Sequence, residues 1–193
     1  DLVAYRNAAA EAIERLGQQG VRMEVFGARP LEATDACLEE ILASDALVGI
    51  YAHRYGYVPT GQSKSITEQE FEYALAKEKP TFCFVVDEDY PWRPTHVEAE
   101  PGRTRLREFM QRLRETGVTD SFTTPEDLAF KVASSLGRFL LYRKVKEELE
   151  RIPARESVST ESGRSQVARR AARIEKVIRG AQVLLVNDIP AQM

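Results

Sequence analysis

The chain is poor in the residues that cross-link, ligate or span. Only two cysteines occur among 193 residues. Cys37 lies in a helical pattern and Cys83 in the apolar run TFCFVV, which suits small buried thiols of a reducing compartment rather than a disulfide framework. A cytoplasmic protein is expected. His53 and His96 are the only histidines and no CxxC is present, so the ligand spacing of a metal site is missing and no metal is expected. No apolar run approaches the roughly 20 residues needed to cross a bilayer, and no signal peptide is visible, so no membrane contact is expected. A charge excess of one sign is absent too. The 27 cations meet 30 anions for a net charge of −3, which gives no bulk attraction to nucleic acid or anionic lipid. Any electrostatic function must be local.

What is present is an alternation of two periodicities, in a chain whose 43% hydrophobic content suits one globular domain plus an appendage. VAYRNAAAEAIERLG puts Val3, Ala9 or Ala10, Ile13 and Leu16 on one helical stripe and stops at Gly17. VRMEVF reads as a short strand, and LEATDACLEEILAS as a helix turning Cys37, Leu38, Ile41 and Leu42 inward. ALVGIYA is apolar throughout, as expected of a strand covered on both faces. There follow a helix at SITEQEFEYALAKE, the strand PTFCFVV, the loop DEDYPWRPTHVE, a helix at TRLREFMQRLRE, a weak strand at VTDSF and a long helix from PEDLAF to KEELE. Such alternation implies right-handed crossovers and an α/β three-layer sandwich of flavodoxin-like type around a mostly parallel sheet. Folds of this kind open on a strand, whereas this sequence opens on a helix, so a first strand is expected upstream.

The texture changes near residue 150. The domain is expected over 1–149, a polar serine-rich linker over 150–167, and a basic helix and strand over 168–193 that begin a second domain. The basic helix carries Arg169, Arg170, Arg173, Lys176 and Arg179 without interleaved aromatics, the pattern of a solvated connector rather than a nucleic-acid surface.

The stretch with most chemistry is HRYGYVPTGQSKSITEQEFEYA, His53 to Ala74. Ser65 and Glu68 have the S-x-x-E spacing of a capping box. On a wheel of about 100° per residue, Phe71, Ala74, Leu75 and the stem of Glu78 share the sheet-facing side. Glu70 stands beside that side and would project along the seam where the helix meets the strand ends. In open α/β sheets the ligand crevice lies outside the carboxyl ends of the strands, which favours Glu70 over Glu72 as its acid.

The segment LVGIYAHRYGYVPTGQSKSITEQEFEYALAKEKPTFCFVVDEDYPW, with its HRYG, S-x-T-E-x-E and KP elements followed by DEDYPW, closely resembles the signature of the family catalogued as domain of unknown function 4062. The resemblance extends over roughly Asp1 to Leu140. It implies a fold similar to TIR domains and nucleoside deoxyribosyltransferases, usually opened by a strand and serine-rich turn. It also implies a place at the N-terminus of a larger signalling protein, often ahead of a STAND-type NTPase. In deoxyribosyltransferases and catalytic TIR domains a glutamate near the start of the corresponding helix, about ten residues before a Lys-Pro, works on an N-glycosidic bond. Glu70 has that position relative to Lys79 and Pro80, and the resemblance therefore implies Glu70 as catalytic group, attacking the anomeric carbon or stabilising an oxocarbenium ion. The implied ligand-binding set is His53, Arg54, Tyr55, Gly56, Ser65, Thr67 and Trp92, with no cofactor beyond NAD or another nucleotide as substrate or ligand. The terminal VLLVNDIP resembles the first strand and acidic turn of receiver domains, with Asp188 at a metal-binding position and Asn187 departing from the acidic pair.

Several readings stay open. The first is a TIR-like signalling module that self-associates or docks other domains of the same protein through the His53–Lys64 loop. The second is an enzyme acting on the N-glycosidic bond of NAD or another nucleotide, and the third a nucleotide sensor without turnover. Each residue also has a purely structural reading: Glu70 as a surface acid pairing Lys77 or an arginine, His53 and Arg54 as partners of strand-end carbonyls, Gly56 as a turn residue, and Tyr55, Tyr57 and Trp92 as aromatics packed under a loop.

Overall fold

The computed structural model of the chain describes residues 2–22, 33–92, 97–117 and 119–150. The elements run α1 (Val3–Arg15), α2 (Ala33–Ala43), β1 (Leu47–Tyr51), α3 (Ile66–Ala76), β2 (Thr81–Val86), α4 (Gly102–Thr116), β3 (Thr119–Phe122) and α5 (Pro125–Glu150). The chain divides into two compact units, residues 1–134 and 135–193, with the boundary inside α5. Of the expected strand VRMEVF, residues 23–26 lie outside the described residues, as do the linker, the basic helix and the VLLVNDIP strand.

The described sheet is parallel throughout, in the order β1-β2-β3. Parallel neighbours need long crossovers, and α3 and α4 supply them. Register places Gly49 beside Cys83 and Tyr51 beside Val85. This column faces α3 and α4, where Tyr51, Cys83 and Val85 form one core with Phe71, Phe109, Met110 and Leu113. Leu106, Phe109, Met110 and Leu113 follow the i, i+3, i+4, i+7 rule, which is why α4 turns one stripe inward. The opposite column runs through Phe84 and Val86, the latter paired with Phe122. There Tyr5 of α1 meets the Phe122 ring at 5.4 Å. Helices on both faces make the expected three-layer α/β sandwich of flavodoxin-like type. Among the described residues no helix is long and apolar enough to cross a membrane.

The helix ends explain several departures from the expected faces. In α1 the amide of Gly17 donates to Glu14 and that of Gln18 to Ile13, with Gly17 at φ +71°. This is a Schellman stop. The buried stripe of α1 is Tyr5, Ala9, Ala10 and Ala12, while Val3 is exposed. Tyr5 carries the contact because its ring and hydroxyl reach Phe122 and the Thr123 carbonyl together. The helix α3 ends the same way: Glu78 donates to Leu75 and Lys79 to Ala74. Here the left-handed residue is Glu78, at φ +52°. The chain has therefore left the helix before Glu78, whose stem does not join the sheet-facing side, and Leu75 is 37% exposed. In α2 the inward residues are Thr34, Ala36, Cys37 and Ile41, whereas Leu42 is exposed. The Lys79 ammonium takes up the carbonyls of Leu42 and Ser44 at 2.8 and 2.7 Å, so it occupies the C-terminal end of α2.

Continuous burial is expected of β1, yet it is β2, the middle strand, that has it, at Cys83–Val86. In β1, Leu47, Val48 and Ile50 are only half-buried. At the other edge the Lys131 ammonium bonds the Ser121 carbonyl and the Asp127 carboxylate, a charged guard of the kind that discourages further strand pairing.

Candidate functional site

The loop that leaves β1 is built around a buried carboxylate. Ser65 caps α3, its hydroxyl accepting the Glu68 amide at 3.2 Å. The reciprocal half of the expected capping box is absent, because the Glu68 side chain turns inward. At 3% exposure it bonds both the Tyr55 hydroxyl and the Arg112 guanidinium of α4. Lys64 stands 3.9 Å from the same carboxylate. The physical reason is that a desolvated carboxylate demands charge-assisted partners, and a guanidinium with a phenol offers more than one amide. The Ser65 amide instead donates to the Tyr55 oxygen at 3.4 Å. Tyr55 is 5% exposed, and burial followed by the Glu68 contact raises its pKa. It is therefore a strut beneath the loop. Gly56, at φ +95°, lies over the same helix start, where an added Cβ would come 3.2 Å from the Thr67 hydroxyl.

A second group gathers at the ends of β1 and β2. The His53 ring meets Trp92 edge-on at 5.4 Å, and Trp92 stacks on Tyr5 at the same distance and stands 6.0 Å from Tyr90. Glu98 ties the two loops together: its amide donates to the His53 carbonyl at 2.8 Å and its carboxylate accepts the Tyr55 amide at 3.1 Å. His53 Nε2 is buried, with no hydrogen-bond partner among the described residues. Burial lowers the His53 pKa, opposed by the charge of Glu88. The shift disfavours the imidazolium form that would meet a phosphate. Arg54, by contrast, is exposed.

The third group surrounds Glu70. This side chain is half-buried. The helices α2 and α3 pack together. Burial raises the Glu70 pKa. Cys37, 2% exposed, is pushed up to about 12, first by burial and then by the Glu70 charge, so it is an inert thiol. Beneath them Tyr51 folds back along its own strand. A Cβ on Gly49 would sit 2.1 Å from the Tyr51 hydroxyl, so only glycine leaves room for that ring. The ring thus lies over Gly49, whose register partner is Cys83. Desolvation lifts the Tyr51 phenol far above its ordinary value, with Cys83 and then Glu70 adding to the rise.

Ser65, Thr67, Tyr55 and Gly56 are thus brought together at the start of α3, His53 joins Trp92, and Glu70 has a different set of neighbours. A polar cleft of about 440 Å³ lies along Val85–Asp89, Arg114 and Thr119–Ser121, and none of the expected site residues lines it. Among the described residues no group of three or more His, Cys, Asp and Glu is placed to hold a metal ion. Residues 1–137 match the family model described as Domain of unknown function (DUF4062). The chain belongs to that family. No curated protein and no solved structure matches it. In this DUF4062 domain the sequence pattern gave no sign of Arg112, Glu98 or Cys37 as site residues, nor of Tyr51. The first two lie 44 and 43 positions from their partners, and no local spacing announces them. Tyr51 had a usable signal, since glycine two positions before an aromatic in a strand leaves a slot for its ring.

Proposed function

We propose that this DUF4062 domain is a TIR-like signalling module of a larger protein, engaging a nucleotide through Glu70 at the carboxyl ends of the strands. One observation carries the reading. Among the described residues Glu68 and Glu72 each have a cationic partner, Arg112 and Lys64, whereas none faces Glu70. A carboxylate accepts about four hydrogen bonds, and among the described residues no cation takes up that capacity at Glu70. A ribose diol supplies two donors on adjacent carbons and suits such an acceptor. Half-buried acids with raised pKa values and no structural counter-ion are candidates for ligand or reaction chemistry.

The same observation favours a second reading, cleavage of an N-glycosidic bond. In that reading the Glu70 carboxylate attacks the anomeric carbon or stabilises its positive charge as the bond to the base breaks. The base departs with the bonding electron pair, and water completes the hydrolysis. No metal is required.

The test compares Glu70→Gln with Glu72→Gln, whose parent side chain pairs with Lys64 on the surface. Glu68→Gln is unsuitable as a control because its carboxylate is structural. Calorimetric titration with NAD, adenosine and ATP measures binding, and chromatography follows free base. Binding lost only in Glu70→Gln supports the module, and base release lost with it supports the enzyme. A wild-type chain that neither binds nor cleaves, while self-association responds to Arg54→Ala or Tyr57→Ala, refutes nucleotide engagement and cleavage alike and leaves the module with a docking surface on the loop.

A further inference from the structure

We infer that α4 of one copy of this domain docks on α2 of a second copy, arginine face against acidic face, so that copies join head to tail. The inference concerns self-association and does not depend on Glu70 or on a nucleotide. It starts from a division of charge among helices of one layer. The helix α3 packs against α2 and meets α4 through the Phe71–Phe109 ring contact at 5.8 Å and the Glu68–Arg112 pair, so it stands between them. On one flank α2 carries Asp35, Glu39 and Glu40 and no cation, a net of −3. On the other, α4 carries five arginines against two glutamates, a net of +3.

Helix geometry turns these charges outward. On a wheel of about 100° per residue, Asp35, Glu39 and Leu42 lie together, opposite the buried Cys37 and Ile41. Asp35 and Glu39 are exposed, and so is Leu42 at 53%. On α4, Arg103, Arg107 and Arg114 share a row about 40° wide, on the far side from Arg112, which reaches α3. Glu88 holds Arg114. Arg103 and Arg107 are exposed, and among the described residues neither they nor Asp35 and Glu39 have a partner of opposite charge.

Charge complementarity selects a second copy as the occupant. Asp35 and Glu39 are one turn apart, as are Arg103 and Arg107. Each helix therefore holds a like-charged pair that weakens it alone, and the other helix offers the opposite charges at the same spacing. Leu42, one turn beyond Glu39, gives the contact an apolar anchor for the methylene stem of an arginine. Because α3 stands between them, one copy cannot close its own α2 on its own α4. The contact is heterologous, and repetition builds open chains or a ring. Exposed ion pairs contribute little singly, so the association is weak and falls with salt.

The experiment follows the full chain by sedimentation velocity over a concentration series at low and at high salt. Wild type should associate at low salt and lose about tenfold in association constant at high salt. The double variants Arg103→Gln with Arg107→Gln, and Asp35→Asn with Glu39→Gln, should each lose about tenfold at low salt. Each variant keeps one intact face, so an equimolar mixture of the two should regain the wild-type strength of pairing and stop at one-to-one pairs. Circular dichroism checks folding, and should the α2 variant fail to fold, Leu42→Arg takes its place. No recovery on mixing shows that the two faces do not meet and overturns the inference, as does a wild-type chain that stays monomeric at low salt. Two other results are equally fatal. Association that ignores both helix variants but falls in Arg54→Ala or Tyr57→Ala belongs to the loop after β1. A chain that does not self-associate, but binds a DNA duplex through Arg103 and Arg107, uses the arginine row on phosphates. A chain that ignores NAD yet pairs in this way loses the nucleotide reading and keeps this one.

Discussion

Removing the Arg112 guanidinium should destabilise the domain more than neutralising the carboxylate it serves. Glu68 is 3% exposed, while the Arg112 side chain keeps 44% of its surface in water. Arg112→Met therefore strands a buried charge whose remaining help is the Tyr55 hydroxyl and Lys64 at 3.9 Å. Breaking a buried pair from one side costs about 3–5 kcal/mol. Lys64 and the open side of the pair moderate the loss, so about 2–3 kcal/mol is expected. Glu68→Gln leaves Arg112 free to rehydrate and keeps an acceptor for Tyr55, so the loss falls to about 1–2 kcal/mol. In the double variant the two losses should not add, because the second change removes the charge that the first had stranded. The assay is urea unfolding followed by Trp92 fluorescence and by circular dichroism. Coincident transitions are needed because the chain has two compact units. A cost below about 0.5 kcal/mol for Arg112→Met, or strict additivity in the double variant, would refute the buried-charge argument.

Two further outcomes can be measured on the same material. Burial raises the Glu70 pKa above its unfolded value, so its favourable contribution is complete below the unfolded carboxylate pKa and is lost as pH rises through the folded one. Relative to wild type, Glu70→Gln should therefore leave the melting temperature nearly unchanged near pH 4 and raise it at pH 7; a lower melting temperature at pH 7 would mean that the ionised form is held by a cation. Glu78 closes the Schellman turn of α3 at φ +52°, where a Cβ costs about 1 kcal/mol, so Glu78→Gly should stabilise by up to that amount. Chemical denaturation checks it, and destabilisation would show that the glutamate side chain has a compensating role.

The alternation of helices and strands was legible because parallel β2 is apolar from Phe82 to Val86, and because α4 repeats its apolar residues at helical spacing. Faces were harder to read. Val3 and Leu42 are apolar and periodic, yet they lie outside the contact because Tyr5 and Cys37 are the residues that meet a neighbour. Local patterns carry no information about such cross-chain choices. The same limit applies to the site. Ser65 was readable as a cap from spacing alone, but the use of Glu68 depends on Arg112, placed opposite it only when α4 docks. Tyr55 was readable as a loop aromatic, and its burial followed from the carboxylate it supports.

Three acids on one stretch of α3 meet three fates, and helix geometry assigns them. Glu68 and Glu72, one turn apart, lie on one side and share Lys64 at the surface, with Arg112 reaching the deeper of the two. Glu70 lies about 200° around the wheel from Glu68 and meets α2, which brings three acids and no cation. Ionised Glu70 is therefore desolvated by the seam, with no cationic partner among the described residues. Among the described residues folding supplies no cation for an acid there, and an apolar residue would bury the same area without the desolvation cost. A ligand that brings hydrogen-bond donors or positive charge to the strand ends would reverse that balance. The case for function at Glu70 thus rests on the helix opposite it as much as on the motif that contains it.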